Sequence, residues 1–377
     1  MVNRRNFIRN TALTAGAITM LKSNAIASLV GKKGLKNYFK KDFMIGAAIG
    51  DAAFVKNDSE LLDIVAKEFN VITAENAMKW APVHPKEDEW RFEGGDRLVD
   101  FAKKHKMDVQ GHVLVWHSQV PRSIFVDENG NQASKELLTK RMEKHIQTMV
   151  GRYKGKIHSW DVINESITPE DGFRKSKWLE IMGPEFMEKA FYLAHEVDPK
   201  CQLIYNDYGM DDPKRRDFVV DLVKKYQKKG VPIHGIGMQG HFNLDSPDIS
   251  KIEASIEAFA STGLPVSITE LDVDVLPYDW GRSAEISTNV EYRKTLNPYV
   301  DGLPKEINDK LTKRYEEIFK LFLKHRDKID RVTFWAVSDD LSWKNNFPMR
   351  GRTNYPMLFD RQRKPKDAYF AVTGLKS

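Results

Sequence analysis

The sequence predicts a single α/β domain, a (β/α)8 TIM barrel, and three observations carry that prediction. Short apolar runs alternate strictly with longer segments of helical spacing, through eight such units. Polar and aromatic residues recur at the C-terminal ends of these runs, often spaced by two, where barrel strands turn groups inward. The first run is not followed by a Gly-rich phosphate loop. Gly46-Ala47-Ala48-Ile49-Gly50-Asp51 lacks the fingerprint that an open, doubly wound sheet would typically carry there.

The apolar runs read as buried strands at 43–49, 69–75, 110–116, 157–164, 202–208, 234–241, 265–271 and 331–337. Strict alternation implies a parallel sheet with helices outside it, and eight strands close such a sheet into a barrel. Helical spacing is plain at 138–150, with Leu138, Met142, Ile146 and Met149 on one face. It recurs at 305–325, with Ile307, Leu311, Tyr315, Ile318 and Phe322. Asp58 and Ser134 are placed as N-caps, and Pro213 and Pro365 where first helical turns should begin. A chain of 377 residues would ordinarily suggest more than one domain, but α/β barrels run to about 250 residues or more as one unit. Residues 28–377 are therefore expected to form one catalytic barrel.

Residues 1–27 are expected to be an export signal. Arg4-Arg5-Asn6-Phe7-Ile8-Arg9 resembles a twin-arginine motif, an apolar run follows from Thr11 to Leu21, and Ala25-Ile26-Ala27 fits a small-x-small cleavage site. The apolar run is too short to span a bilayer. The expected product is an exported protein, periplasmic or extracellular, monomeric and free of the membrane once the signal is removed. Of the formal charge of +6, four positive charges (Arg4, Arg5, Arg9, Lys22) lie in this segment with no acid to offset them. The remainder is too balanced to suggest a nucleic-acid partner. Cys201 is the only cysteine, which excludes an intrachain disulfide, and its place at the start of an apolar run suits a small buried hydrophobe.

Six of the eight strands deliver polar or aromatic groups at the same end. The second supplies Glu75, Asn76 and Lys79, and the third His112 and Trp116. The fourth supplies Asn164 and Glu165, the sixth Gln239 and His241, and the seventh Glu270 and Asp272. The eighth carries Trp335, with Trp343 in the loop beyond. Buried ionisable groups are costly without partners, so this coincidence points to a shared pocket rather than to packing. The pocket suits glycoside hydrolysis, in which one carboxyl protonates the leaving oxygen and a second attacks the anomeric carbon. Strands four and seven lie across an eight-stranded ring from one another, so Glu165 and Glu270 can face a bound sugar from both sides. Trp116, Trp335 and Trp343 offer flat walls for sugar rings. Glu75, Asn76, Lys79, His112 and Gln239 offer partners for hydroxyls.

The same residues resemble glycoside hydrolase family 10, whose typical member is an endo-β-1,4-xylanase. The matching stretches are Thr73–Trp80, Gly111–His117, Trp160–Glu165, Gly237–His241, Ile268–Asp272, and Phe334-Trp335 through Ser342-Trp343 to Leu358-Phe359-Asp360. The resemblance implies retaining hydrolysis of xylan and xylo-oligosaccharides, with no metal or organic cofactor. It implies Glu165 as acid/base, Glu270 as nucleophile, and Asn164 as partner of the sugar 2-hydroxyl. His241 would hydrogen-bond Glu270 and be oriented by Asp272. The remaining residues named above would form the glycone-side pocket. Two stretches depart from the pattern. Gln119-Val120-Pro121-Arg122-Ser123-Ile124-Phe125 lacks the Trp that usually follows the proline, and the segment from Leu276 to about Asn308 is longer than usual. That segment shows no strong helix period and starts from the catalytic end of its strand. It is expected to form part of the cleft wall, with Tyr278, Trp280, Tyr292 and Tyr299 as sugar-stacking or loop-anchoring side chains.

Three rival readings remain open on sequence. A β-glucanase or mannanase of similar architecture is separable by comparative hydrolysis. A binding barrel without catalysis would be expected to lose one of the two carboxylates. A metal hydrolase built on His112, His117 and His241 lacks a recognisable ligand spacing.

Overall fold

The computed structural model describes residues 33–170, 172–278, 284–285 and 288–376. Eight parallel strands form the centre: β1 (Met44–Ile49), β2 (Val71–Ala74), β3 (Asp108–Trp116), β4 (Ser159–Asn164), β5 (Gln202–Asp207), β6 (Gly235–Met238), β7 (Val266–Asp274) and β8 (Ile329–Phe334). Each pairs with the next, and β8 pairs with β1 through Met44↔Arg331 to Ala47↔Phe334, which closes the ring. A principal helix follows each strand: α1 (Ser59–Glu68), α2 (Glu93–His105), α3 (Lys135–Arg152), α4 (Glu185–Val197), α5 (Pro213–Lys229), α6 (Ile249–Ala260), α7 (Lys305–Lys324) and α8 (Asp367–Gly374). The expected barrel is the observed one. The export segment and Trp280 lie outside the described residues.

The helices form where their apolar spacing meets a cap. Asp58 accepts from Leu61 N at the start of α1, and Ser134 from Leu137 N at the start of α3. Pro213 opens α5 behind Asp212, which accepts from Lys214 N and Arg215 N. The stripe Leu138, Met142, Ile146 and Met149 of α3 is fully buried, as are Leu311, Tyr315, Ile318 and Phe322 of α7. Pro365 differs from expectation. It precedes α8, whose cap is Lys366, and forms a bridge with Phe359. The Asp360 side chain accepts from Gln362 N and Lys364 N, and that turn consumes the residues a longer helix would need.

Strand ends differ where the ring, rather than the apolar run, decides pairing. The predicted strand 234–241 breaks after Met238. Gln239 N donates to Asp207 O, and Gly240 turns with φ +84°. His241–Asn243 then pairs with Asp272–Asp274, beyond the barrel proper. The eighth strand ends at Phe334, although Trp335 N still reaches Leu271 O at 3.0 Å.

A polar chain runs through the barrel interior. Arg331, fully buried, donates from Nη1 to Ser159 Oγ (2.9 Å). Ser159 donates to Gln110, Gln110 to Asp161, and Asp161 meets His112 Nδ1 at 2.9 Å. It connects the barrel core to the pocket at the strand ends. Cys201 is buried, its sulfur near the carbonyls of Ile157 and His158, and burial pushes its thiol up to about 12.

Candidate active site

Twelve of the thirteen predicted site residues line one cavity at the C-terminal ends of the strands. The thirteenth, Asp272, lies immediately behind it, bonded to His241. Gln119 and Ala284 complete the wall. Gln119, from the stretch that departs from the family pattern, has φ 47° and accepts from Ala81 N at 2.9 Å.

Glu165 follows β4 with φ 55°, in the left-handed region that a β-strand exit rarely enters without glycine. The turn aims its carboxylate back over the barrel mouth, where donors meet both oxygens. Trp116 Nε1 lies 2.8 Å from Oε2, Gln239 Nε2 2.9 Å from Oε1, and Asn164 Nδ2 3.3 Å from Oε1. Trp116 is itself set by Trp178, whose Nε1 donates to the Trp116 carbonyl at 3.0 Å.

Glu270, on β7, is buried and bonded on both oxygens. Asn206 Nδ2 lies 2.9 Å from Oε1, and His241 Nε2 3.3 Å from Oε2. Burial alone would raise its carboxyl, but the bond from His241 and the nearby His112, His241 and Asn206 outweigh it and hold it below the usual range. His241 Nδ1 meets Asp272 Oδ2 at 2.9 Å, and that oxygen also accepts from Trp343 Nε1 at 2.8 Å. Burial pulls the imidazole down, yet Asp272 and Glu270 together hold it up at about 9. His241 is therefore a cation at neutral pH, donating to both carboxylates.

The opposite wall is also charged. Lys79 Nζ donates to Asn76 Oδ1 at 3.0 Å and sits 5.1 Å from the Trp116 ring centre. Burial lowers its ammonium, against the pull of Glu270, Glu75 and Glu165. Burial raises the Glu75 carboxyl, against Lys79. His112 packs edge-on to Trp335 at 5.1 Å, and Trp343 lies 4.9 Å from the His241 ring.

Asn206 is a further side chain bonded into the site, beyond those the sequence singled out. Its Nδ2 reaches both Asn164 Oδ1 (3.0 Å) and Glu270 Oε1, and its Oδ1 accepts from Thr269 at 2.6 Å. It joins the residue beside one carboxylate to the other carboxylate. The signal was available, since Asn206-Asp207 ends β5 as Asn164-Glu165 ends its neighbour. Asp161, the partner of His112, was missed because it lies mid-strand.

The long segment after β7 enters this region, and Tyr278 and Tyr299 take the anchoring one of the two roles expected of its aromatic side chains. Tyr278 is bonded to Asp274, Tyr299 packs against the core, and Tyr292 is exposed; none lines the catalytic cavity. Ala284 lines it, and Glu285 lines the adjoining cavity of about 420 Å³ together with Arg174 and Tyr208.

The model of glycosyl hydrolase family 10 matches residues 34–375. The chain is 43% identical over 334 residues to endo-1,4-beta-xylanase A of Xylanibacter ruminicola, covering 88% of this chain and 90% of that protein. It is 40% identical over 338 residues to endo-1,4-beta-xylanase B of Paenibacillus barcinonensis, covering 89% and 96%. Among solved structures it is similar to a GH10 endoxylanase retrieved from a sugarcane soil metagenome, with 52% identity, a TM-score of 0.89, and coverage of 91% of this chain and all of that one. A mutant structure in complex with xylotriose matches with 36% identity and a TM-score of 0.81, covering 90% and 99%.

Proposed function

Since the chain belongs to glycosyl hydrolase family 10 and is a retaining endo-1,4-β-xylanase, we propose that Glu165 is its acid/base and Glu270 its nucleophile. The observation that supports this assignment is the asymmetry of the two carboxylates. Glu270 is tied to a cationic His241 and to Asn206, which keeps it ionised for attack. Among the described residues, Glu165 has only neutral donors on its oxygens within hydrogen-bond distance. In the first step Glu270 attacks the anomeric carbon as Glu165 gives its proton to the departing oxygen. In the second, Glu165 takes a proton from water as that water displaces Glu270. Trp335 and Trp343 form the walls of the glycone side. Glu75, Asn76, Lys79, His112 and Gln239 bind hydroxyls there, and Asn164 holds the 2-hydroxyl.

A 2-fluoro xylobioside with a good leaving group should label Glu270, and the first-formed product should be the β-anomer. A label on another residue, or an α-anomer first, would overturn the assignment.

The enzyme is proposed to act on xylan as an exported monomer, after removal of residues 1–27. Among the described residues no helix is long and apolar enough to cross a membrane. Replacing Arg4-Arg5 by Lys-Lys should block export, with mature protein otherwise beginning near Ser28. Undiminished export would leave a general secretory signal.

A further inference from the structure

We propose that Glu285 is a positioning residue for Glu165, acting through Arg174 and Tyr208; the inference rests on the assignment of Glu165 as acid/base. Glu285 arrives from the segment after β7, while Arg174 follows β4 and Tyr208 follows β5. The Glu285 Oε2 accepts from Arg174 Nη1 at 2.6 Å and from the Tyr208 hydroxyl at 3.0 Å. Arg174 Nη2 donates to the same hydroxyl at 2.8 Å, so the three side chains form a closed triangle.

The triangle acts on Glu165 through its main chain. Arg174 Nε donates to the Glu165 carbonyl at 2.6 Å, and Arg174 N donates to Ser166 O at 2.8 Å. A non-glycine residue in the left-handed region is strained and persists only where its surroundings over-determine it. Glu165 is in that region, and Arg174 is the group that grips its carbonyl. Glu285 in turn fixes the guanidinium and supplies the countercharge for a half-buried cation. The same carboxylate reaches towards the other face of Glu165. The His117 ring stands between them, Nε2 3.7 Å from Glu285 Oε1 and Nδ1 3.9 Å from Glu165 Oε2.

Glu285 does not touch the reacting centre, so its removal should act on proton delivery rather than on attack. Small misplacements of a catalytic group are felt strongly in rate, and general acid catalysis contributes typically 10²–10⁴-fold. Glu285→Gln keeps the side-chain volume but gives up the charge, and Tyr208→Phe breaks the triangle from another side. Both are measured in the full-length enzyme, on aryl β-xylobiosides of graded leaving-group ability and on xylan. The expected result is a loss of about tenfold in kcat/KM, which reports the step that needs the acid, on phenyl xylobioside and xylan, at least an order below the full general-acid contribution. Dinitrophenyl xylobioside, whose departure needs little protonation, should change less than about twofold in kcat/KM, although its kcat also reports the second step, in which Glu165 acts as base. Equal losses across leaving groups would reduce Glu285 to a structural tether. A raised KM with kcat unchanged would make it a substrate contact. Either result overturns the proposal. Glu165→Ala, run alongside, separates the two levels: no leaving-group dependence in that variant means the acid/base assignment has failed.

Discussion

Asp272→Asn removes one negative charge from the chain Glu270–His241–Asp272 and keeps its shape. In the native protein both His241 nitrogens meet carboxylates, and its side chain is 4% exposed. Raising the imidazole from 6.5 to about 9 corresponds to roughly 3 kcal/mol of preference for the cation. Because the folded-state value is the raised one, this stabilisation is fully present below pH 6.5 and is lost as pH climbs through about 9. The asparagine oxygen can still accept from Trp343 Nε1 and His241 Nδ1, so the loss at pH 6 should be about 3 kcal/mol, the lower end for breaking a buried ion pair. Denaturant unfolding at a series of pH values gives the difference between the two proteins. It should be greatest near pH 6 and shrink towards pH 10. Proton NMR of the His241 ring should show its titration falling from about 9 towards 6.5. A stability gap independent of pH, or a variant His241 still titrating near 9, would refute the claim that Asp272 sustains the cation beside the nucleophile.

Asn206→Ala takes a donor from the Glu270 carboxylate, a charge-assisted bond worth about 1.5–3 kcal/mol. Its kcat/KM should fall roughly 10–100-fold, equally on good and poor leaving groups, because the nucleophile rather than the acid is affected; a loss confined to poor leaving groups would place Asn206 with Glu165. Gly111→Ala should destabilise the barrel by about 3 kcal/mol in denaturant unfolding, near the upper end for overpacking, since its Cβ would stand 2.1 Å from Cε3 of the buried Trp160. Unchanged stability would show that Trp160 has room to move.

The barrel was legible because its strands are buried on both faces and so read as near-continuous apolar runs between amphipathic helices. Glu165, Glu270 and their neighbours stood out for the same reason: a charged or aromatic group at the end of such a run needs a partner or a function. Local chemistry also read correctly at Asp58, Ser134 and Pro213, where the capping group and the orphan N–H groups lie within one turn. Ring closure decided the rest. The break after Met238, with His241 handed on to the far end of β7, follows from pairing with strands distant in sequence. So does the place of Asn206 between Asn164 and Glu270, side chains up to 64 residues away. The meeting of Arg174 and Glu285 joins positions 111 residues apart. Periodicity records which face of an element is buried, a property of each segment alone. Which oxygen faces which donor depends on how eight segments share one ring, and that is fixed only when the ring closes.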